Sequence, residues 1–143
     1  MNHQPPIVAV AILYQKGRFL LQLRDDIPGI LYPGHWGLFG GHLELGETPE
    51  EALKRELLEE ITYLVPTPIQ FGCYKDDRAI RHVYHAPLTV GIERLALNEG
   101  YDMALVTEAE IRQGCCYSQK AGQERPLGLL HQQILLDFFK ASS

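Results

Sequence analysis

The chain has 143 residues, 45% of them hydrophobic and 22% charged, with 13 Lys and Arg against 18 Asp and Glu for a net charge of −5. That is the size and balance of one globular domain, long enough to fold without help from a disulfide or a metal. An acidic chain with no basic run is excluded as a general binder of nucleic-acid backbone, which takes clustered Lys and Arg, yet it can hold a polyanionic small molecule if a cation lies between them.

Residues 1–6 read as a loose arm. Ile7–Tyr14 and Arg18–Arg24, separated by Gln15, Lys16 and Gly17, carry a β-hairpin signature. The stretch from 25 to 35 holds two Pro-Gly pairs and reads as a long exposed loop, and 36–46 as a glycine-rich turn. Thr48, Pro49 and Glu51 then supply an N-cap, a proline at the first helical position and the glutamate of a capping box. The pattern predicts a helix from Pro49 to near Ile61, which Pro66 and Pro68 keep from running far.

Ile69–Tyr74 and Arg81–Ile92 read as strands, the second interrupted at Pro87. Met103–Val106 is a short strand, followed by a helical turn over Glu108–Gln113, a turn-rich stretch from 114 to 126, and a closing helix from Pro126 to Lys140. There is no repeat and no linker, so the expectation is one domain over residues 1–143. The longest apolar run, Ile7–Leu13, is far short of the ~20 residues of a membrane span, and no signal-type leader precedes it. Cys73, Cys115 and Cys116 lack zinc-type spacing and fit a reduced, cytoplasmic protein, with Cys115 and Cys116 read as inert thiols rather than a redox pair.

The chemistry is concentrated in seven glutamates between residues 44 and 60: Glu44, Glu47, Glu50, Glu51, Glu56, Glu59 and Glu60. At about 100° per residue, Leu53, Leu57, Ile61 and Leu64 make a core-facing stripe. Glu56, Glu59 and Glu60 form a second face beside it, with Glu60 nearly in line with Leu53. An acidic helix face is ordinarily a solvated one. Here, however, like charges at i, i+3 and i+4 repel, oppose the negative end of the helix dipole, and find only Lys54 and Arg55 within the helix. An unpaired carboxylate at the core boundary is costly as well. A hard divalent cation such as Mg2+ removes these penalties, because it takes several carboxylate oxygens at once. Gly40 and Gly41 let the backbone approach it and offer a carbonyl, and Gly46 permits a second bend. No Lys-Ser/Thr pair follows these glycines, so they are not a phosphate-cradling P-loop.

Gly41 through Tyr63, GHLELGETPEEALKRELLEEITY, resembles the Nudix box: Gly, five residues, Glu, seven residues, Arg-Glu-aliphatic-any-Glu-Glu, any, Gly, aliphatic. Gly41, Glu47, Arg55, Glu56, Leu57, Glu59 and Glu60 fall in register. Thr62 stands where the family has glycine, Tyr63 where it has an aliphatic residue, and Phe39 where a proline often precedes the two glycines. A glycine suits a left-handed helix terminus, so the Thr62 departure predicts a differently shaped helix end.

The resemblance implies an α/β fold, a Nudix-type α/β/α sandwich with a mixed β-sheet. It also implies that Glu56, Glu59 and Glu60 hold the metal, Mg2+ or alternatively Mn2+, with the backbone carbonyl of Gly40 as a further ligand. Arg55 would orient the glutamates, and Glu47 would support the loop or reach the metal through water. Members often add a glutamate from a later loop, for which Glu99 is preferred over Glu93 and Glu108. Glu56 is taken as the general base, with Glu99 and Glu47 as alternatives.

The implied reaction is hydrolysis of a phosphoanhydride in a nucleoside diphosphate linked to another group. A nucleoside triphosphate, oxidised ones included, leads, and a nucleotide sugar or ADP-ribose comes second. A nucleotide-sensing module and a metal-dependent isomerase on the same scaffold are the competing classes, and the intact set of glutamates weighs against the sensor. The partner is a small-molecule nucleotide, with no membrane and no general nucleic-acid binding; nothing in the chain speaks to oligomeric state.

Outside the box, Arg24 is a candidate for a substrate phosphate, set against simple pairing with Asp25 or Asp26. Trp36, Tyr32, Tyr74 and Tyr84 are read as packing before base stacking. His82 and His85, three apart on a strand, face opposite sides and make a poor metal pair. His35 and His42 flank the glycine turn.

Overall fold

The computed structural model describes residues 4–142. Part of the expected N-terminal arm, residues 1–3, lies outside them; the rest is tied down, since the Pro6 carbonyl accepts from the Ile80 N–H at 2.9 Å.

The hairpin forms as its spacing predicts. Strands β1 (Ile7–Gln15) and β2 (Arg18–Leu23) turn at Lys16 and Gly17, both at positive φ. The glycine-rich stretch is more ordered than its sequence suggests, because it supplies β3 (Trp36–Gly37) and β4 (Phe39–His42). After helix α1 (Pro49–Ile61) come β5 (Ile69–Lys75), β6 (Ile80–Pro87), β7 (Asp102–Thr107) and α2 (Glu108–Gln113). A second hairpin, β8 (Cys115–Ser118) and β9 (Gln123–Pro126), leads into α3 (Leu129–Ser142).

Two boundaries differ from expectation. The strand predicted over 81–92 stops at Pro87, the last residue paired with β1, and Ile92–Arg94 forms a 3-10 turn instead. The segment 114–126, expected as turns, pairs as β8 and β9 because Ser118–Gly122 closes a tight loop with a 2.9 Å bond from the Gly122 N–H to the Ser118 carbonyl.

The main sheet has seven strands in the order β3-β2-β1-β6-β5, with β4 paired to β1 and β7 to β2. β1 and β6 run parallel from Ile7↔Ile80 to Tyr14↔Pro87, and the other pairings are antiparallel. β1 meets β2 only near the turn, at Tyr14↔Phe19 and Gln15↔Arg18. Toward its start the two strands splay apart, and β4 fills the wedge, pairing Val8–Ala11 with His42–Phe39. The wedge brings the glycines beside α1.

Each sheet face packs a separate core. Val10, Ile12, Leu21, Trp36 and Val83 join Ile111 of α2 and Ile134, Leu135 and Phe139 of α3 on one side. Ala9, Ala11, Leu13, Leu20 and Phe39 join Leu53, Leu57 and Ile61 of α1 on the other. The result is the expected three-layer α/β/α sandwich on a mixed sheet. Among the described residues no helix is long and apolar enough to cross a membrane.

The α1 capping box is complete: Thr48 Oγ1 accepts from the Glu51 N–H at 3.2 Å, and Glu51 returns a bond to the Thr48 N–H at 2.9 Å. Leu53, Leu57 and Ile61 are fully buried as the stripe predicts, but Leu64 is 75% exposed. The helix has ended before it, at Thr62, whose φ of 56° and ψ of 41° are left-handed. The helix end therefore keeps the shape a glycine would give, against the expectation, with a β-branched residue in a conformation that costs it roughly 1–2 kcal/mol. Tyr63 takes the buried position Leu64 was expected to hold, and its hydroxyl meets the Pro87 carbonyl at 3.2 Å and Thr89 Oγ1 at 3.0 Å.

Candidate active site

A cavity of about 1160 Å³ opens on the α3 side of the sheet, above the wedge where β4 enters. Gly40, Glu56, Glu60, Glu99 and Arg24 all line it. Five residues singled out from the sequence are thus brought together from β4, α1, the loop before β7, and the end of β2.

The glycines are there for space. A Cβ on Gly40, at φ 154°, would run into the Ala9 carbonyl, and one on Gly41 would run into the Glu56 carboxylate. With that room, the Gly40 N–H donates to Glu60 Oε1 at 3.1 Å.

Glu60 is 4% exposed, beside Leu53 on the core boundary as the helical wheel predicts. Burial first, and then repulsion from Glu56 and Glu99, push its pKa up to about 8, against weaker opposing bonds from the Gly40 N–H and Gln22. Glu56 is pushed up as well, chiefly by burial, with Glu59 and Glu99 adding and Arg55 opposing. The charge of Glu99 acts on both carboxyls, and all three acidic groups line the cavity. Glu60 is buried, Glu56 half-buried and Glu99 exposed; their mutual repulsion and their all-oxygen donor set fit a hard divalent cation.

Arg55 organises the remaining acids. Its Nε and Nη2 grip Glu47 at 2.7 and 3.0 Å, and its Nη2 also reaches the His42 carbonyl at 3.0 Å. Its Nη1 meets Glu56 at 2.9 Å and Glu59 at 3.3 Å, and Glu44 lies 3.6 Å away. The Arg55 bonds hold Glu47 below the ordinary carboxylate range, and Glu47 in turn accepts from the Glu44 N–H at 2.8 Å, bracing the bend before α1. Glu59, with a side chain 59% exposed, stands on Arg55 beside the cavity. Among the described residues no three His, Cys, Asp or Glu side chains form a group that could hold a metal ion, and Arg55 engages two of the expected ligands, Glu56 and Glu59.

The rivals of Glu99 lie elsewhere: Glu108 pairs with Arg112 at 3.1 Å, and Glu93 sits on the 3-10 turn against Gly91. Asp26 turns to Arg125 at 3.6 Å, while Arg24 Nε is fully enclosed and has no partner. Trp36 is wholly buried and bonds the Cys116 carbonyl at 2.9 Å; Tyr74 bonds Asp137 at 2.7 Å; Tyr84 is 7% exposed. All three pack as expected, whereas Tyr32 lines the cavity, as does His42. His35 is bound to the Pro33 carbonyl at 2.8 Å. The Cys116 thiol is buried and pushed up to about 12, by burial first and then by Glu110.

Sequence reasoning missed Arg81, His131, Gln22 and Asn98, all of which line the cavity. A faint signal existed for two of them. Gln22 interrupts the apolar run Phe19–Leu23, and Arg81 alternates with Val83 on a core-facing side. His131 and Asn98 gave none.

The family model for the NUDIX domain matches residues 3–119. The chain belongs to this family. It is 36% identical over 75 residues to the nucleoside triphosphatase NudI of Enterobacter sp. (strain 638), a match covering 52% of each chain. It is 37% identical over 82 residues to NudI of Klebsiella pneumoniae subsp. pneumoniae, covering 57% of this chain and 56% of that one. The chain spans about half the length of these relatives. Among solved structures, the MutT protein of Methanosarcina mazei Go1 superposes with a TM-score of 0.75 at 20% identity, covering 100% of this chain and 99% of that one. The NUDIX domain of Shewanella oneidensis NrtR, complexed with ADP ribose, gives 0.75 at 20% identity, covering 99% and 91%. These likenesses show the shared fold.

Proposed function

We propose that the chain is a divalent-metal-dependent hydrolase that cleaves a phosphoanhydride bond in a nucleoside triphosphate. The observation that carries this reading is that Glu56, Glu60 and Glu99 line one cavity large enough for a nucleotide. The likeness to relatives named nucleoside triphosphatases supports the substrate class.

Glu56, Glu59, Glu60 and Glu99, with the Gly40 carbonyl, would hold Mg2+ or Mn2+. Such an ion, when bound, neutralises phosphate oxygens, acidifies water and aligns an in-line displacement at phosphorus. Glu56 is the general base. Its half-buried carboxylate is more basic than a surface glutamate, and Arg55 Nη1 at 2.9 Å fixes its orientation. Glu56 takes the proton of the attacking water as the bond to the bridging oxygen breaks and that oxygen leaves with its electron pair. Arg24 meets a phosphate oxygen, which gives its enclosed Nε the partner it lacks within the protein. The three free thiols accord with a reducing, cytoplasmic setting.

The test is phosphate release with Mg2+ across triphosphates, nucleotide sugars, dinucleoside polyphosphates and ADP-ribose, run on the wild type and on Glu59→Gln/Glu60→Gln. The expected result is turnover of triphosphates that the double variant loses. Silence across the panel would overturn the enzyme reading in favour of a sensor, and turnover of ADP-ribose or nucleotide sugars alone would overturn the substrate class.

A further inference from the structure

Beyond the carboxylates the cavity lining extends to Arg81 of β6 and the tip of the β5–β6 turn, and to His131 of α3, with Val8, Val10, Leu38 and Ile134 as apolar lining. We infer that Arg81 is a specificity-determining residue, selecting nucleotides whose base presents a keto oxygen at purine C6 or pyrimidine C4 over those that present an amino group there. The inference rests on the reading of the site as one for nucleoside triphosphates.

Position comes first. Along β1, Val10 pairs with Gly40 on one side and Val8 pairs with Arg81 on the other. Two residues of rise and two strand spacings therefore separate the Gly40 and Arg81 backbones, about 12 Å by sheet geometry. A base and sugar bridge that gap when the phosphates lie at the glutamates, over the apolar lining.

Chemistry comes second. Arg81 is only 6% exposed although it carries a full charge. Its Nη1 is met by Asp76 Oδ2 at 3.0 Å. Asp76 is itself locked, because its Oδ1 accepts from the N–H groups of Arg78 at 2.8 Å and Ala79 at 3.0 Å. The guanidinium is thus oriented before any ligand arrives, and its charge is already balanced. A balanced, planar donor fork suits neutral acceptors such as a base O6 and N7, more than it suits another phosphate. Arg24, with an enclosed Nε that nothing meets, is the better group for an anion.

His131 reinforces the selection. Its Nδ1 accepts from the Leu38 N–H at 3.1 Å, so the proton of the neutral ring is on Nε2. Gly37 and Gly128 make room for the ring, and the Tyr32 ring packs edge-on at 5.9 Å. Burial, then the charges of Arg24 and Arg81, lower its pKa to about 4, so it stays neutral near pH 7. Arg81 and His131 therefore both present donors to the cavity. Among the described residues, the lining carboxylates other than Glu56, Glu60 and Glu99 come down to Asp25, exposed on the 25–35 loop. A base that presents an amino group sets donor against donor and leaves buried polar groups unmet.

The experiment compares kcat/KM with Mg2+ for two matched pairs, GTP against ATP and UTP against CTP, in the wild type, Arg81→Met and Arg81→Lys. The expected wild-type preference for the keto member is about 10–100-fold, the scale of an arginine–base contact. Arg81→Met should bring the ratio to within about threefold of one, and Arg81→Lys should leave it between. Circular dichroism and the thermal midpoint check each fold; if the Met variant does not fold, the wild-type ratios and the Lys variant decide. Equal wild-type rates within each pair would overturn the inference, as would equal losses on both members in the variant. So would a preference for 3′-phosphorylated amino-base nucleotides that Arg81→Met abolishes, since Arg81 would then be holding an anion. If no triphosphate is hydrolysed, the activity reading fails separately. Equilibrium binding of the same four nucleotides with Ca2+ then decides selectivity by the same criteria.

Discussion

The side-chain amide of Asn98 donates to Thr62 Oγ1 at 3.1 Å, tying the loop that carries Glu99 to the left-handed end of the helix that carries Glu56 and Glu60. The same amide donates to the Glu59 carbonyl at 2.9 Å, and the Asn98 N–H to the Glu60 carbonyl at 2.8 Å. The threonine that replaces the box glycine thus supplies an acceptor that glycine lacks, set against the strain of its backbone. Thr62→Gly should be nearly neutral for stability, since the relieved strain offsets the lost bond. Asn98→Ala should cost about 1 kcal/mol and weaken Mn2+ affinity by loosening Glu99. Denaturation midpoints and Mn2+ titration would check both; unchanged Mn2+ affinity in Asn98→Ala would remove its link to Glu99.

Glu56→Gln keeps the shape and much of the Arg55 contact but cannot take a proton. Turnover should fall ~10²–10⁴-fold with little change in KM. Steady-state kinetics decide the point, and full activity would move the base to Glu99 or Glu47.

Metal binding should be visible without turnover. Glu60, raised from 4.5 to about 8, is protonated near neutral pH in the metal-free protein. The folded state then binds more protons than the unfolded state between those values, so metal-free stability falls as pH rises from 4.5 to 8 and levels off above. Mg2+ at pH 7.5 should expel that proton and stabilise the fold by ~2.7 kcal/mol at a hundredfold excess over Kd, raising the thermal midpoint. A chelator should reverse both without unfolding the chain, because Arg55 already pairs Glu47, Glu56 and Glu59. Calorimetry in two buffers of different ionisation enthalpy reads the proton, and Glu60→Gln should show none.

His131 gives the opposite pH signature. Its pKa is depressed from 6.5 to about 4, so the unfolded chain takes up a proton that the folded one refuses. The stability due to the neutral ring is complete above pH 6.5 and is lost as pH falls toward 4, at most about 3 kcal/mol. Urea midpoints from pH 4 to 7 should show this slope in the wild type and a flatter one in His131→Gln.

What the sequence revealed follows from how local each signal is. The capping box at Thr48 and Glu51, the burial of Leu53 and Leu57, and the placing of Glu60 against the core are set within one helix. Its spacing reports them. The Nudix resemblance made the sandwich legible for the same reason, since one helix and its preceding bend fix the register. Arg81 and His131 became functional candidates only when β6 paired beside β1 and α3 packed over Leu38. No local pattern encodes those events. The β8–β9 hairpin was hidden by short strands with weak alternation, and the end of the helix was misjudged because threonine is rarely left-handed.

The parallel partnership of β1 with β6 joins Ile7 to Ile80, so the chain must close a long loop before Arg81 lies beside Val8. The glutamate-bearing helix, by contrast, caps itself and packs on strands close to it in sequence. During refolding, competence to bind divalent ions should therefore emerge ahead of the power to tell one base from another, and a pulse of nucleotide added early would meet a protein that does not yet discriminate.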